Sequence, residues 1–364
     1  MWIKKLSVCN CRIIKNVNLE LSPGINLIIG DNASGKTSLL EALSLLSTGR
    51  SFRSTYINDV IATGSDSILV TAKLANDNCD EPIHIGVQKT AKETTIRMNQ
   101  QDIKSQSALS RHIPLTVIHP ASTELISGGP KHRRSYIDWI TFYLFPEYVL
   151  LWKSYKHILK QRNSCLKFAK HRASLSYWTE ELIKLQPDIH HYRTQSLKKL
   201  HTIIKDVTVV LLKDHEIELE LISGLPSTSS FSLEQNDLIN FYAQKLDYDL
   251  TTKRTNYGIH RSDINIKLNG SDAKKSASRG QLKILAISLL IAQTQVISSE
   301  QGKGMLLIDD LDAELDQANK SILINYLISL DQQLIITSTK DLEIEASNLK
   351  MFHVKHGVVE KFAR

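Results

Sequence analysis

At residues 30–37 the sequence reads Gly30-Asp31-Asn32-Ala33-Ser34-Gly35-Lys36-Thr37, which matches the pattern G-x-x-x-x-G-K-[ST] of a phosphate-binding loop. An apolar run at residues 25–29 precedes the loop and has the length of a buried strand. Residues 38–46 follow the loop and are apolar at helical spacing. A strand, a glycine-rich loop and a helix in this order form half of a β-α-β unit, so the stretch predicts an α/β fold.

The residue types in this loop suit the binding of phosphate. Glycines allow backbone N–H groups to curl around a β-phosphate and to aim the N-terminus of the next helix at it. Lys36 would bring a positive charge to the β- and γ-phosphates, and the hydroxyl of Thr37 can ligate Mg²⁺. A glycine-rich turn with an exposed lysine is the alternative, and the flanking strand and helix disfavour it. We therefore predict that all eight residues contact a nucleotide.

A second acidic motif follows another apolar run. Residues 305–308 predict a buried strand, and two carboxylates, Asp309 and Asp310, come directly after it. Asp309 would hold Mg²⁺ and its water shell, and Asp310 would act as the general base for the attacking water. Paired acids after a strand can also be a plain helix N-cap, and the phosphate-binding loop makes the catalytic interpretation the stronger one.

The order of the motifs along the chain indicates which class of nucleotide-binding protein this is. Lys36 and Asp309 lie 273 positions apart, so a large insertion splits the nucleotide fold. The segment Ser278-Arg279-Gly280-Gln281 opens a helix before the acidic strand, and Glu314-Leu315-Asp316 follows that strand. This order resembles the head of ABC-type ATPases. The resemblance implies that the helix opened by Ser278-Arg279-Gly280-Gln281 in one subunit completes the ATP site of another across a two-fold interface, giving an ATP-dependent homodimer. It also implies that Asp316 contacts the nucleotide.

Four further blocks make the resemblance closer. They are Asn10-Cys11-Arg12, Gly49-Arg50-Ser51-Phe52-Arg53, the segment 128–134 that reads G-G-P-K-H-R-R, and the segment 258–263 that reads G-I-H-R-S-D. Together they resemble the RecF family of bacterial DNA replication and repair ATPases, from residue 1 to about residue 340. The resemblance implies ATP and Mg²⁺ as cofactors and a weak, DNA-stimulated ATPase that works as a switch. It also implies a dimeric clamp on gapped or single-stranded DNA that acts with RecR and RecO to load RecA and support SOS induction.

The chain departs from the RecF pattern at two places and from the pattern of most ABC ATPases at two more. Pro120-Ala121-Ser122 stands where the family usually has P-E-D, and Ile259 replaces the usual Pro. Thr339 stands where most ABC ATPases have a γ-phosphate-sensing His, and Asp310 is one methylene shorter than the usual Glu. The last two features predict slow hydrolysis. The missing P-E-D run keeps open an alternative, a RecF-like ATPase diverged to another DNA-linked role such as a defence system.

Charge indicates a polyphosphate partner. The chain has a net charge of +7, and residues 131–212 hold fifteen Lys and Arg against six Asp and Glu. A basic region on a near-neutral body is typical of nucleic-acid binding, although a solvated helical face has the same composition. DNA lying across the head dimer is a second alternative. The predicted DNA contacts are the basic residues at the start of this region: Lys131, Arg133, Arg134, Lys153, Lys156 and Lys160.

The whole chain is therefore predicted to be an α/β protein with an ABC-type ATPase head (a P-loop NTPase) split by a largely helical second lobe. The predicted boundaries are 1–130 for the N-terminal part of the head, 131–225 for the basic insert and 226–364 for the C-terminal part of the head. The longest apolar run, at residues 284–292, is about half a membrane span, which predicts a cytoplasmic protein without a membrane partner. An ABC transporter head gives no reason for the basic insert, and a Rad50- or condensin-type tether needs a far longer one.

Overall fold

A computed structural model describes residues 1–76, 79–213, 215–226, 233–302, 304–311, 315–342 and 344–362. The chain divides into two compact units. The first unit comprises residues 1–123, 206–214 and 279–364, and the second unit comprises residues 124–205 and 215–278. Both ends of the chain therefore build one unit, as the split head predicts.

The strands, in chain order, are β1 (Trp2–Cys11), β2 (Ile14–Glu20), β3 (Ile25–Ile29), β4 (Ser67–Asn76), β5 (Cys79–Thr90), β6 (Thr94–Met98), β7 (Gln101–Asp102), β8 (Leu115–Ile118), β9 (Ile217–Ile222), β10 (Asp263–Leu268), β11 (Ser271–Asp272), β12 (Met305–Ile308), β13 (Gln333–Ser338), β14 (Lys350–Lys355) and β15 (Val358–Phe362). The described helices are α1 (Lys36–Thr48), α2 (Gln106–His112), α3 (Glu124–Ser127), α4 (Pro130–Leu144), α5 (Tyr148–Lys167), α6 (Leu175–Leu211), α7 (Gln235–Gln244), α8 (Leu246–Thr252), α9 (Ala273–Ser276), α10 (Arg279–Gln301) and α11 (Gln317–Ser329).

The first unit contains two six-stranded sheets. One has the order β15-β14-β3-β13-β12-β8, and β14, β3, β13, β12 and β8 in it run parallel. Parallel strands buried on both faces are nearly all apolar, which explains why β12 reads Met-Leu-Leu-Ile and is fully buried. The other sheet is antiparallel, with the order β2-β1-β4-β5-β6-β7, and its strands alternate buried and exposed residues.

Helix α1 shares one hydrophobic core with both sheets of the first unit. Its residues Leu39, Leu40 and Leu43 are at most 1% exposed and belong to the same cluster as Leu6 of β1 and Leu307 of β12. A helix that is apolar around most of its surface must be enclosed on several sides. The phosphate-binding loop is therefore attached to one of the most deeply packed helices of the unit.

Helix α10 is more apolar than the run at 284–292 alone suggests. Among the described residues it is the one helix whose length and composition would allow it to cross a membrane. Within its most apolar window, 61% is buried inside the protein, and residues such as Leu285, Leu289 and Ile291 are fully buried. Core helices of this kind pass the same test, so the result is weak evidence for a membrane span.

The second unit is largely helical, as predicted, but its boundaries differ from the predicted 131–225. It begins at residue 124, and it includes residues 226–278, which the sequence analysis had assigned to the head. The physical reason is strand pairing: β9 and β10 are antiparallel neighbours along their whole length, from Ile217 opposite Leu268 to Ile222 opposite Asp263. A segment that shares a sheet with β9 cannot belong to another unit. Residues 206–214, at the end of α6, belong to the first unit instead.

Candidate nucleotide and DNA sites

The ends of the central strands of the parallel sheet surround a cavity of about 500 Å³. The phosphate-binding loop after β3 forms one wall, and Asp310, after β12, lies opposite it. Arg12, Ile13, Ser38 and Arg53 complete the described lining. The volume lies in the range of pockets that hold a nucleotide-sized ligand, and the position outside the carboxyl ends of parallel strands is where α/β folds bind ligands.

The backbone of the loop has the geometry that its glycines predict. Gly35 has φ +117° and Ala33 has φ +63°, both in the left-handed region, so the chain curls tightly before α1. At Gly30 a Cβ atom would collide with the carbonyl oxygen of Val354. No side chain caps the N-terminus of α1, and its first N–H groups are therefore placed to bind an anion.

Lys36 is 6% exposed and folds back over the loop. Its Nζ donates hydrogen bonds to the carbonyl oxygens of Gly30 (2.6 Å) and Asp31 (2.9 Å). A buried ammonium needs acceptors, and a phosphate with higher negative charge can replace these two carbonyls. The loop therefore presents Lys36 at the place where the motif predicts a phosphate.

Two threonines converge on Asp309. The hydroxyls of Thr37 and Thr337 each donate a 2.9 Å hydrogen bond to Oδ1 of Asp309. The backbone N–H of Asp310 in turn donates to the hydroxyl of Thr337 at 2.8 Å. Burial raises the pKa of the Asp309 carboxyl, although both threonine hydrogen bonds act in the opposite direction. The structure thus joins the predicted magnesium ligands Thr37 and Asp309, which are 272 positions apart in sequence.

Thr337 was not predicted from the sequence. It lies on β13, which runs between β3 and β12, so its hydroxyl reaches the gap between the phosphate-binding loop and the acidic pair. Residues 334–337 indicate a strand, but no sequence pattern says which strands will be its neighbours. The available signal is a polar residue at the carboxyl end of a predicted buried strand.

Asp310 occupies an unusual backbone position. Its φ is +55°, a left-handed conformation that Asp tolerates better than most residues because its short polar side chain can bond locally. Its Oδ1 is buried and has no hydrogen-bond partner among the described residues. A buried carboxylate oxygen without a donor is costly, so the atom is placed for a water molecule or a cation in the cavity.

Arg12 and Glu41 form a second polar pair beside the cavity. The Arg12 guanidinium donates to both carboxylate oxygens of Glu41, at 2.5 and 2.9 Å, and Ser51 donates to the same carboxylate at 2.6 Å. Glu41 is fully buried on α1 and raises the pKa of Arg12. Arg12 and Ser51 lie in sequence blocks typical of the family, and Glu41 lies in the helix after the loop, but none of the three had a predicted role.

The residues Ser278-Arg279-Gly280-Gln281, which we call the signature, and Asp316 are not among the described residues that line this cavity. Ser278, Arg279 and Gly280 are exposed where α10 begins, and Gln281 is half-buried. Asp316 accepts a 2.9 Å hydrogen bond from the backbone N–H of Asn319 and caps α11, a contact that lowers the pKa of Asp316. Glu314, which opens the predicted loop after the acidic strand, lies outside the described residues.

The six predicted DNA contacts fall into two groups. Lys131, Lys153, Lys156 and Lys160 are exposed on α4 and α5, and the ammonium of Lys156 lies 5.9 Å from the centre of the Trp152 ring. Arg133 differs from these lysines, because its side chain is only 11% exposed and makes a bidentate ion pair with Asp263, at 2.7 and 2.9 Å. Arg134 is half-buried and donates to the carbonyl oxygen of Ser262 at 2.8 Å.

Arg133 also donates to the carbonyl oxygens of Ile126 and Gly128 at 3.1 and 3.0 Å, so four hydrogen bonds hold it. We expect Arg133→Met to lower the free energy of unfolding by about 2–3 kcal/mol, since it removes hydrogen bonds to charged groups and leaves Asp263 unpaired. Urea denaturation measures the loss. Lys131→Met, at an exposed position two residues away, serves as the control and should change stability by less than about 0.5 kcal/mol. Equal stability of the two variants would contradict a structural role for Arg133.

Counting charge along the sequence overstates the basic surface. Arg162 and Arg193 also lie in the basic region, but both are buried and paired, with Asp249 at 2.8 Å and Asp138 at 2.7 Å. The second unit nevertheless has 22 Lys and Arg against 15 Asp and Glu. Its net charge of +7 equals that of the whole chain, so the first unit, with 23 residues of each sign, is neutral.

The hydroxyl of Thr337 supports both acids at once, which makes it a sensitive position. Thr337→Val keeps the shape but removes the acceptor of the Asp310 N–H and a donor to Asp309. We expect the free energy of unfolding to fall by about 1–3 kcal/mol, the cost of leaving buried polar groups without a partner. Thr337→Ser keeps the hydroxyl and is the matched control. If Val and Ser behave alike in urea denaturation, the hydroxyl does not carry the contact.

Fold and site together define a class: a P-loop head of the ABC type, split by a second unit. The sequence profile of the RecF/RecN/SMC N-terminal domain family matches residues 2–360. Solved heads of SMC proteins share the fold at 16% identity, among them an SMC head bound to the C-winged helix domain of ScpA (TM-score 0.59, covering 100% of this chain and 97% of that one).

Proteins with higher sequence identity to this chain identify the family within that class. The DNA replication and repair protein RecF of Vibrio parahaemolyticus is 34% identical over 367 residues, which cover 99% of each chain. RecF of Thioalkalivibrio sulfidiphilus is 33% identical over 370 residues, again 99% of each. A solved structure of the recombination mediator RecF with ATP, from the RecFOR pathway, matches with a TM-score of 0.89 at 28% identity, covering 100% of this chain and 98% of that one. The chain belongs to the RecF family.

Proposed function

We propose that this protein is an ATP-dependent DNA-binding protein of replication and repair, working as an ATP-switched dimeric clamp at gapped or single-stranded DNA. The observation that carries the proposal is the cavity of about 500 Å³ lined by the phosphate-binding loop and Asp310, with Asp309 bonded to Thr37 of that loop. Relatives named RecF that match over the full length support the choice of DNA as the partner.

ATP fits the cavity because each of its charges has a counterpart. The uncapped N-terminus of α1 and the Lys36 ammonium would hold the β- and γ-phosphates. Mg²⁺ prefers oxygen ligands, and the hydroxyl of Thr37 and the carboxylate of Asp309 already lie 2.9 Å apart. When bound, the ion would neutralise charge on the phosphates. Arg12 and Arg53, which line the same cavity, would add positive charge at its rim.

Asp310 is the residue that would accept a proton from the attacking water. Its unpartnered Oδ1 and its place in the cavity lining suit this role, and the Thr337 hydroxyl fixes its backbone. A carboxylate shorter than Glu reaches less far, so turnover should be slow. Slow hydrolysis suits a protein that uses ATP as a timed switch, stimulated by DNA, rather than as a source of continuous work.

The signature residues supply the reason for a dimer. Ser278 and Gly280 are exposed at the N-terminus of α10, and within one chain neither is among the described residues that line the cavity. We propose that they and Asp316 face the γ-phosphate of a second subunit, so that ATP closes the clamp. In the cytoplasm such a clamp would act with RecR and RecO to load RecA and support SOS induction.

The test is DNA binding measured by fluorescence anisotropy on gapped, duplex and single-stranded DNA, with and without ATP and Mg²⁺. We expect gapped or single-stranded DNA to bind more tightly when ATP is present. Lys36→Ala is the matched control, because it should remove the ATP effect and leave ATP-independent binding. A wild-type protein that binds no DNA under any of these conditions would overturn the proposal.

One observation favours a second candidate, a RecF-like ATPase diverged to another DNA-linked role. Pro120-Ala121-Ser122 replaces the usual P-E-D run and forms a short turn after β8, in which the backbone N–H of His119 donates to the Ser122 hydroxyl at 2.9 Å. The segment after β8 therefore has two carboxylates fewer than the usual P-E-D run. RecA loading in the presence of RecR and RecO distinguishes the two candidate functions. Only the first candidate requires this protein to act together with RecR and RecO.

A further inference from the structure

A second cavity of the first unit, about 490 Å³ in volume, lies between the loop after α1 and the turn that joins β5 to β6. Three cationic side chains line it: Arg50 from the loop, and Lys89 and Lys92 from the end of β5 and the turn. We call these three residues and the space between them the cationic pocket. The cationic pocket and the nucleotide cavity have no described lining residue in common, so they are separate cavities.

The described lining of the cationic pocket holds three positive side chains and one carboxylate, that of Glu93. Among the described residues, no carboxylate lies within ion-pair distance of Arg50, Lys89 or Lys92, although Glu93 is part of the lining. The half-buried Lys89 donates to the carbonyl oxygen of Gly49 at 2.5 Å. Burial lowers the pKa of Lys89, and the nearby positive charge of Arg50 lowers it further. Like charges held close together are unfavourable alone, and an anion between them relieves the repulsion.

The backbone of Arg50 is fixed to the end of α1. Its carbonyl oxygen accepts hydrogen bonds from Ser44 (2.9 Å) and Thr48 (3.1 Å), and its N–H donates to the Thr48 hydroxyl at 3.2 Å. The guanidinium is exposed and makes no ion pair with a described residue. A fixed backbone with a free planar donor group is suited to bidentate binding of phosphate.

We propose that the cationic pocket binds a phosphate group of a DNA backbone. The proposal rests on the proposed function and gives the first unit a DNA contact of its own. The described lining holds hydroxyl and aliphatic side chains but no aromatic ring on which a base could stack. A backbone phosphate needs only charge and hydrogen bonds, whereas a free nucleotide would leave its base without a partner. Since the first unit as a whole, pocket included, is neutral, the pocket is a local site and not part of a general basic surface.

The loop that carries Arg50 also reaches the nucleotide cavity. Arg53, three residues further on, lines that cavity. Between the two, Ser51 donates to Glu41, the same carboxylate that holds Arg12. A phosphate bound by Arg50 would therefore engage a loop that also contacts the nucleotide site, and this arrangement offers a direct route for DNA to influence ATP turnover.

The experiment compares Arg50→Glu/Lys92→Glu with Lys361→Glu, an exposed lysine on β15 of the same unit. Lys89 is left intact because it bonds Gly49. DNA binding is measured with ATP across a salt series. We expect the double variant to bind at least about 10-fold more weakly, with a salt slope reduced by roughly 0.9 on duplex DNA and roughly 0.7 on single strands, since one phosphate contact is lost. DNA-stimulated ATP turnover should fall in parallel, and Lys361→Glu should match wild type in both.

Two outcomes would overturn the proposal. If the wild type binds DNA and the double variant shows the same affinity and slope as Lys361→Glu, the pocket does not hold backbone phosphate, while the proposed function stands. The second arm titrates pyrophosphate by calorimetry in a Lys36→Ala background, which silences the phosphate-binding loop. Loss of pyrophosphate binding in the double variant, with DNA binding unchanged, would overturn the assignment to DNA in favour of a free phosphate compound.

Discussion

Asp310→Asn is expected to slow ATP hydrolysis by about 10²–10⁴-fold, the usual cost of losing a general base, while ATP still binds. The fold should be unaffected, because Asn adopts the left-handed conformation at least as readily as Asp, and the N–H of residue 310 keeps its bond to Thr337. Removing the negative charge beside Asp309 also removes a repulsion that raises the pKa of Asp309. Affinity for ATP with Mg²⁺ should therefore stay the same or rise.

Single-turnover release of γ-phosphate measures the chemical step, and calorimetry measures binding. Asp66→Asn, an exposed position on the same unit, changes the net charge equally and should hydrolyse ATP like wild type. The slow variant should also accumulate as an ATP-bound dimer in sedimentation. Normal turnover by Asp310→Asn would place the base elsewhere in the cavity.

The local parts of the site could be predicted because each is a continuous motif. The phosphate-binding loop and the acidic pair each follow an apolar strand, and motif and context lie within about ten residues. The fold class, an ABC-type head split by a helical lobe, is confirmed by the family profile and the solved relatives. Residue types and strand order are therefore enough to predict the parts of the site at residues 30–37 and 309–310.

Contacts between distant strands could not be predicted. Thr337 meets Asp309 only because β13 runs between β3 and β12, and nothing in residues 333–338 specifies that order. The same reason explains the wrong boundary of the second unit. Residues 263–268 follow a family motif in sequence, yet their position is decided by pairing with β9, more than forty residues earlier.

A count of charged residues along the sequence was the least reliable basis for predicting DNA contacts, because it ignores ion pairs between distant residues. Arg162 finds Asp249 at a separation of 87 residues, and Arg133 finds Asp263 at a separation of 130. Each arginine looked like a surface cation beside its neighbours in sequence. A buried guanidinium must have a carboxylate or carbonyls around it, and only the folded structure supplies these from other segments. The cationic pocket shows the converse, since Arg50 and Lys89 are 39 positions apart, line the same cavity and form no ion pair with a described residue.

The second large effect is expected at the signature. Ser278 is exposed at the N-terminus of α10, next to the open space around Gly280. If these residues face the γ-phosphate of a partner subunit, Ser278→Arg places a long side chain where only a hydroxyl fits. Overpacking costs about 1–3 kcal/mol at each site, and a two-fold dimer contains two sites. The dimer should therefore weaken by roughly 30-fold to 10⁴-fold.

Binding of ATP to the monomer should be unchanged in Ser278→Arg, because residue 278 is not among the described residues that line the cavity of its own chain. Sedimentation with ATP measures the dimer, and calorimetry measures ATP affinity. Ser329→Arg is the matched control: it is an exposed serine at the end of α11, just before the amino end of β13 and far along the sheet from the carboxyl edge. It should dimerise like wild type. A normal ATP-dependent dimer of Ser278→Arg would refute the signature assignment. The assignment of the phosphate-binding loop would stand, because Ser278 is not among the described residues that line the cavity.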